Sequence, residues 1–261
     1  MNDLDLALAA ARVGGAIILE AFGGRYDAEY KGRHDPVTKV DHASEEAIIE
    51  LIRTERPDDA IVAEESGGLE SSGRHWIIDP LDGTVNFIHG IPQIAVSVGL
   101  WEGTTPLSGV VLDPLRDETF TAETGKGARL NGAEIRVSPT EQLDRAVVAT
   151  GFPYDHADHA PEYAAALGAV LESVNGIRRF GSAALDLAWV AAGRFDAFWE
   201  LGIAPWDQAA GILLVREAGG RVTDPFGNDS LPGTRLVMAT NGTLHDALAA
   251  RVAPMVSDRL R

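Results

Sequence analysis

Apolar positions along this chain follow two rhythms. From Leu4 to Phe22, residues Leu6, Val13, Ile17, Leu19 and Phe22 recur at helical spacing with alanine between them, and Gly23-Gly24 stops the run. A charged stretch, Tyr26 to Asp41, is too polar for a core. Helical spacing returns at Ala47, Ile48, Leu51 and Ile52, which predicts a helix from about His42-Ala43 to Pro57. The rhythm then changes. Ala60-Ile61-Val62-Ala63 and Trp76-Ile77-Ile78 are short apolar runs of strand type, and Ile94, Val96, Val98 and Leu100 alternate with smaller residues. Leu107–Leu112 and Glu118–Ala122 read as a hairpin across Asp113-Pro114-Leu115-Arg116.

The second half mixes both rhythms. Strands are predicted at Val147–Thr150, Phe195–Trp199 and Leu236–Ala239. Helices are predicted at Glu162–Val174, after Ser182 to Ala192, at Trp206–Ala218 and at Leu244–Val252. Tyr154–Pro161 reads as a polar loop. No repeat or low-complexity tract interrupts the pattern. The expected organisation is one domain over residues 1–261, with lobes of about 1–139 and 140–261 meeting near Ser138-Pro139.

Composition narrows the function. Hydrophobic residues at 45% and charged residues at 23% suit a globular core. Against 22 Lys and Arg stand 39 Asp and Glu, a net charge of -17. That field argues against direct nucleic-acid contact and against an anionic membrane surface, but carboxylates holding divalent cations can still receive a phosphate. No cysteine is present, which removes thiolate nucleophiles, disulfides and Cys-based zinc sites. The start, with two acids before any base, lacks the basic end of a signal peptide, and no apolar stretch is long enough to span a bilayer. A cytoplasmic protein is expected.

The chemistry concentrates where apolar runs end in acids. Trp76-Ile77-Ile78 runs into Asp79-Pro80-Leu81-Asp82-Gly83-Thr84, two acids three positions apart beside a glycine. Hard oxygen ligands and backbone amides at a helix start would lie side by side there, a combination suited to Mg²⁺ and phosphate. Glu64-Glu65 end a second run, and Asp207 opens a helix. Taken singly, Glu64-Glu65 fit a solvated loop and Asp207 a helix-dipole partner. Taken together, the three sites point to a metal cluster. Asp41 reads as the N-cap of the second helix or as a group that orients a threonine or water. Lys31 reads as a solvated base or a cation near phosphate. The seven histidines show no metal-binding spacing.

These residues resemble a known family. Trp76-Ile77-Ile78-Asp79-Pro80-Leu81-Asp82-Gly83-Thr84-Val85-Asn86-Phe87 is similar to the first signature of the inositol monophosphatase family. Trp206-Asp207-Gln208-Ala209-Ala210-Gly211 with Glu217-Ala218-Gly219-Gly220 resembles the second. Ala63-Glu64-Glu65-Ser66 resembles its Gly-Glu-Glu motif, with Ala63 in place of the glycine, and Gly181-Ser182-Ala183-Ala184 and Phe198-Trp199-Glu200 align in order.

The resemblance implies an α/β (α+β) fold, a layered αβαβα sandwich. It also implies a homodimer and Mg²⁺-dependent, lithium-sensitive hydrolysis of inositol-1-phosphate with two to three ions per site. Glu64, Asp79 and the Leu81 carbonyl would hold one ion; Asp79, Asp82 and Asp207 a second; and Glu64 would touch a third. Gly83 and Thr84 would bind phosphate, and Thr84 with Asp41 would position the attacking water. Asp82, Ala183 and Glu200 would face substrate hydroxyls, with Glu65 behind the ligands. The alternatives are the same chemistry on histidinol phosphate, fructose-1,6-bisphosphate or 3′-phosphoadenosine 5′-phosphate, or a non-catalytic transcription-antitermination role.

Overall fold

The computed structural model describes residues 1–25, 28–32, 35–68 and 73–257; one of the seven histidines, His34, and part of the polar stretch after Gly24 lie outside them. The chain opens with α1 (Asp3–Ala21), the short hairpin β1 (Glu29–Gly32) and β2 (Asp35–Val37), and α2 (Lys39–Glu55). A mostly antiparallel sheet follows: β3 (Ala60–Ala63), β4 (Arg74–Asp82), β5 (Ala95–Glu102), β6 (Thr105–Asp113), β7 (Glu118–Glu123), β8 (Ala128–Leu130) and β9 (Ala133–Ile135). Its strands pair in chain order, and only β3 and β4 run parallel. A five-residue helix, α3 (Thr84–Ile88), interrupts it between β4 and β5.

The rest of the chain contributes β10 (Val147–Thr150), α4 (Ala160–Leu171), β11 (Gly176–Arg178), α5 (Ala183–Ala191), β12 (Ala197–Leu201), α6 (Pro205–Glu217), β13 (Arg221–Thr223), β14 (Leu236–Thr240) and α7 (His245–Val252). Its strands form a second sheet in the order β11-β10-β12-β14-β13.

Side-chain alternation sorts these elements into layers. On β4, Trp76 and Ile78 pack against α1 and α2, with Leu6, Ile18, Ile48 and Ile52. Ile77 points the other way, toward Leu185, Leu187, Ile212 and Leu213 of α5 and α6. The second sheet sends Ala149, Phe198, Val237 and Ala239 to that same central layer. Its opposite face, with Val148, Trp199 and Met238, packs on Tyr163, Ala166 and Leu248 of α4 and α7. The result is helix, sheet, helix, sheet, helix: the αβαβα order expected from the resemblance. Both sheets are apolar on both faces because each lies between helices, where burial contributes about 25 cal/mol per Å² of apolar surface.

Most predicted elements are present with shifted ends. The second helix begins earlier, at Lys39, because Thr38 caps it: its hydroxyl accepts from the Val40 amide at 3.1 Å. Asp41 is therefore three residues inside the cap rather than the cap itself. Its Oδ2 accepts from the Thr38 amide at 2.9 Å, closing a capping box.

Candidate active site

Asp79 and Asp82 differ by an odd number of residues, so a regular strand would point them to opposite faces. The β4–β5 pairing prevents this. Asp79 faces Ser97, but Asp82 faces Ala95, so β4 carries one extra residue across that interval. Leu81 consequently turns toward the outer helices, where it is fully buried. Asp82 returns to the face of Asp79. The displaced Pro80 carbonyl accepts from Ser44 Oγ on α2 at 2.9 Å, and the Leu81 amide donates to Asp79 Oδ1 at 3.0 Å. Gly83, at φ +93°, then turns the chain into α3; a Cβ there would lie 2.8 Å from the Gln93 carbonyl.

Asp207, in the first turn of α6, completes a triad. Carboxylate oxygens of Asp79, Asp82 and Asp207 lie within 4.8 Å of one another. Asp207 Oδ2 also accepts from the Ala204 amide at 3.2 Å, so its helix-start role and its place in the triad coexist. Glu64 lies beside the triad but outside that 4.8 Å group. Its Oε1 accepts from Lys31 Nζ at 3.0 Å, and the same ammonium donates to Glu65 Oε1 at 2.9 Å. The Glu64 and Glu65 side chains are only 9% and 2% exposed, so they do not form the solvated loop that suits them singly. Glu45 of α2 holds their turn, accepting from the Glu65 and Ser66 amides at 2.8 Å each.

Thr84 is buried, and its hydroxyl donates to Asp41 Oδ1 at 2.8 Å; the Leu81 carbonyl is 3.2 Å away. The Thr38 hydroxyl donates to the other Asp41 oxygen at 2.6 Å. Ser182 precedes α5, but its side chain does not cap that helix. It donates to Asp82 Oδ2 at 2.6 Å, and the Ala184 amide donates to the same oxygen at 2.8 Å.

The ligand-type groups among these border one cavity of about 950 Å³, lined by Glu64, Asp79, Leu81, Asp82, Gly83 and Asp207 together with Ala183, Asp186 and Glu200. Tyr154, Asp155 and His156 line it too, so the polar loop forms part of its wall. Beside Glu200, just past the paired strand β10, the chain is bare backbone: a Cβ on Gly151 would lie 2.0 Å from Glu200 Oε2. Thr84, Asp41 and Glu65 stand behind this lining.

Burial dominates the electrostatics. It drives the Asp79 carboxyl well above the usual range, aided by Glu64, Asp82 and Asp207. Burial, with Asp82 and Glu200 nearby, pushes Asp207 up to about 8. Burial also raises Glu64 to about 8 despite the attraction of Lys31. Asp82 reaches only about 6, because hydrogen bonds from Ser182 and the α5 amides oppose its burial. Glu200 is raised to about 8 by burial, against the pull of Arg179. Such a group resists full ionisation at neutral pH without added positive charge. Oxygen-only donors crowded this closely fit a hard divalent cation such as Mg²⁺.

Several of these features have no local sequence signal. Ser182 and Glu45 act on residues far away in the chain, and Lys31 reaches Glu64 across thirty-three positions. Asp186, an acid inside an apolar helix, was the one visible anomaly.

The sequence profile of the inositol monophosphatase family matches residues 2–257. Nus factor SuhB of Escherichia coli strain K12 is 44% identical over 263 aligned positions, covering 99% of this chain and 98% of that protein. The crystal structure of the extragenic suppressor protein suhB from Bartonella henselae has a TM-score of 0.90 at 41% identity, covering 95% of this chain and 97% of that one. Inositol monophosphatase from Anabaena (Nostoc) sp. PCC 7120 has a TM-score of 0.88 at 39% identity, covering 99% and 98%.

Proposed function

The chain belongs to the inositol monophosphatase family, and from that premise we propose that it is a Mg²⁺-dependent phosphomonoesterase that converts inositol-1-phosphate to inositol and phosphate. The observation that carries this reading is the Asp79–Asp82–Asp207 triad, within 4.8 Å at the cavity wall and beside the Thr84–Asp41 pair.

Asp79, Asp82, Asp207, Glu64 and the Leu81 carbonyl would hold two to three ions. When bound, the cations offset the phosphate dianion, acidify the attacking water and stabilise the departing oxygen. The Thr84 hydroxyl donates a hydrogen bond to Asp41, which leaves the hydroxyl's own lone pairs free to accept from a water and aim it at phosphorus. Asp41 is a positioning residue, fixed in turn by both donors of Thr38. The backbone amides of Gly83 and Thr84 would donate to phosphate oxygens, preorganised by the turn at Gly83. Glu200, Asp82 and the region of Ala183 would meet the ring hydroxyls. Glu65 acts through Lys31, sharing the ammonium that also holds Glu64.

Within this reading the two lobes, about 1–139 and 140–261, meet across the cavity; the protein is a homodimer, and lithium competes at a magnesium position. The test is kcat/KM for inositol-1-phosphate, histidinol phosphate, fructose-1,6-bisphosphate and 3′-phosphoadenosine 5′-phosphate in saturating Mg²⁺. Preference for inositol-1-phosphate supports the proposal. Preference for another of these esters keeps the phosphatase and overturns the substrate.

A second reading is a non-catalytic partner in transcription. It is supported by the name Nus factor carried by a relative at 44% identity. The clustered acids favour catalysis, because buried like charges are costly to keep without a ligand. Absence of phosphate release from the whole panel would favour the second reading.

A further inference from the structure

Asp186 has no part in the roles above. It sits one turn beyond Ala183 on α5, in a helix whose neighbouring residues Leu185, Leu187 and Ala188 are fully buried in the central layer. Only 1% of Asp186 is exposed, yet it lines the same cavity as Ala183 and Glu200. Its Oδ1 is buried with no hydrogen-bond partner among the described residues. Buried polar atoms in native proteins are almost always paired, and an unpaired one lowers stability. A leucine here would suit the helix better. The orphan therefore points to a partner that arrives with a ligand.

The surroundings indicate what that partner offers. The charged groups acting on Asp186 are Asp82, Glu200 and Arg179. Burial foremost, then Asp82 and Glu200, raise its pKa, so the carboxyl favours the neutral form and can both donate and accept. Glu200 lies beside Gly151, the residue after the neighbouring strand β10; the missing side chain there leaves room for its carboxyl, and both residues line the cavity. Two carboxyl groups thus line the same cavity. Adjacent hydroxyls on one ligand, each able to donate and accept, would satisfy both.

We propose that Asp186 is a specificity-determining residue that, with Glu200, forms a two-carboxyl face for adjacent ring hydroxyls, so that the enzyme selects cyclic polyol phosphates over phosphomonoesters lacking them. This rests on the polyol-phosphate reading above.

The test compares wild type, Asp186→Ala and Asp186→Asn on inositol-1-phosphate and on p-nitrophenyl phosphate in saturating Mg²⁺, with kcat and KM separated and Tm recorded. The ratio of kcat/KM for inositol-1-phosphate to that for p-nitrophenyl phosphate should fall at least ~10-fold in Asp186→Ala, the scale of one lost polar contact. The loss should appear mainly in KM. Asp186→Asn, which keeps a donor and an acceptor, should retain more of the ratio. Tm should hold or rise in both variants, since an orphan is removed or replaced.

An unchanged ratio in both variants overturns the proposal while the polyol reading stands. An unchanged ratio with a lowered Tm assigns Asp186 a structural role and also overturns it. A wild type that cleaves p-nitrophenyl phosphate but not inositol-1-phosphate overturns the polyol reading and this proposal together.

Discussion

Replacing Asp79 by asparagine should have opposite effects with and without metal. Asp79, Asp82 and Asp207 place oxygens within 4.8 Å of one another, and at an effective dielectric near 20 two unit charges at that distance repel by about 3–4 kcal/mol. Protonation limits the penalty at low pH, since Asp207 and Glu64 are both held at about 8. Carboxyls whose pKa is raised by folding bind more protons in the native state than in the unfolded chain. Metal-free stability therefore falls as pH climbs from about 4 toward about 8.

At pH 8.5 in EDTA, Asp79→Asn relieves one like charge and keeps the Oδ1 acceptor for the Leu81 amide. A gain of about 2–3 kcal/mol follows, which for a chain of this size raises Tm by roughly 5–10 °C. Saturating Mg²⁺ at about 100 times Kd stabilises wild type by about 2.7 kcal/mol, a similar rise. The variant, lacking a ligand, should gain little. Differential scanning fluorimetry at pH 6 and 8.5, with EDTA or Mg²⁺, reads all four states. A variant less stable than wild type in EDTA, or one with the full Mg²⁺ shift, would refute the reasoning.

Other outcomes follow from the same geometry. Asp82→Asn should lower kcat at least ~100-fold, the scale of a key electrostatic group; near-normal turnover in saturating Mg²⁺ would remove Asp82 from the site. Gly151→Ala puts a Cβ 2.0 Å from Glu200 Oε2 and must displace that carboxyl; KM for inositol-1-phosphate should rise ~10-fold or more, and steady-state kinetics with unchanged KM would exclude Glu200 from substrate contact. His245, buried between the hydroxyls of Thr223 and Thr240, has its pKa lowered to about 4 by burial and, secondarily, by Arg221. Its unfolded form gains a proton first on acidification, so its contribution to stability is lost as pH falls from about 6.5 toward about 4. Urea unfolding of His245→Gln should show a flatter pH dependence over that window than wild type, and an equal slope would refute the assignment.

Long periodic runs were legible in the sequence, and short or distant relations were not. Helices α1 and α2, and strand β5 with its alternation at Val96, Val98 and Leu100, announce themselves through spacing. Strands β8, β9, β11 and β13 have three residues each, too few to show alternation. The candidate carboxylates were visible as acids at the ends of apolar runs. Why Asp79 and Asp82 share a face was not, because the extra residue between them is defined only by pairing with β5. Of the two roles open to Asp41, helix cap or group that orients a threonine or water, the cap falls to Thr38, three residues earlier, while the Thr84 hydroxyl does donate to Asp41. Ser182 precedes a helix, where serine commonly caps, but its hydroxyl donates instead to a carboxylate one hundred positions away.

The central claim is that acids from β4, the turn after β3 and the start of α6 enclose divalent cations. Anomalous diffraction from crystals soaked in Mn²⁺, which shares Mg²⁺'s preference for oxygen donors, tests it most directly. The account predicts at least two peaks bounded by carboxylate oxygens of Glu64, Asp79, Asp82 and Asp207. No peak among these side chains, with manganese found only elsewhere on the surface, would contradict it.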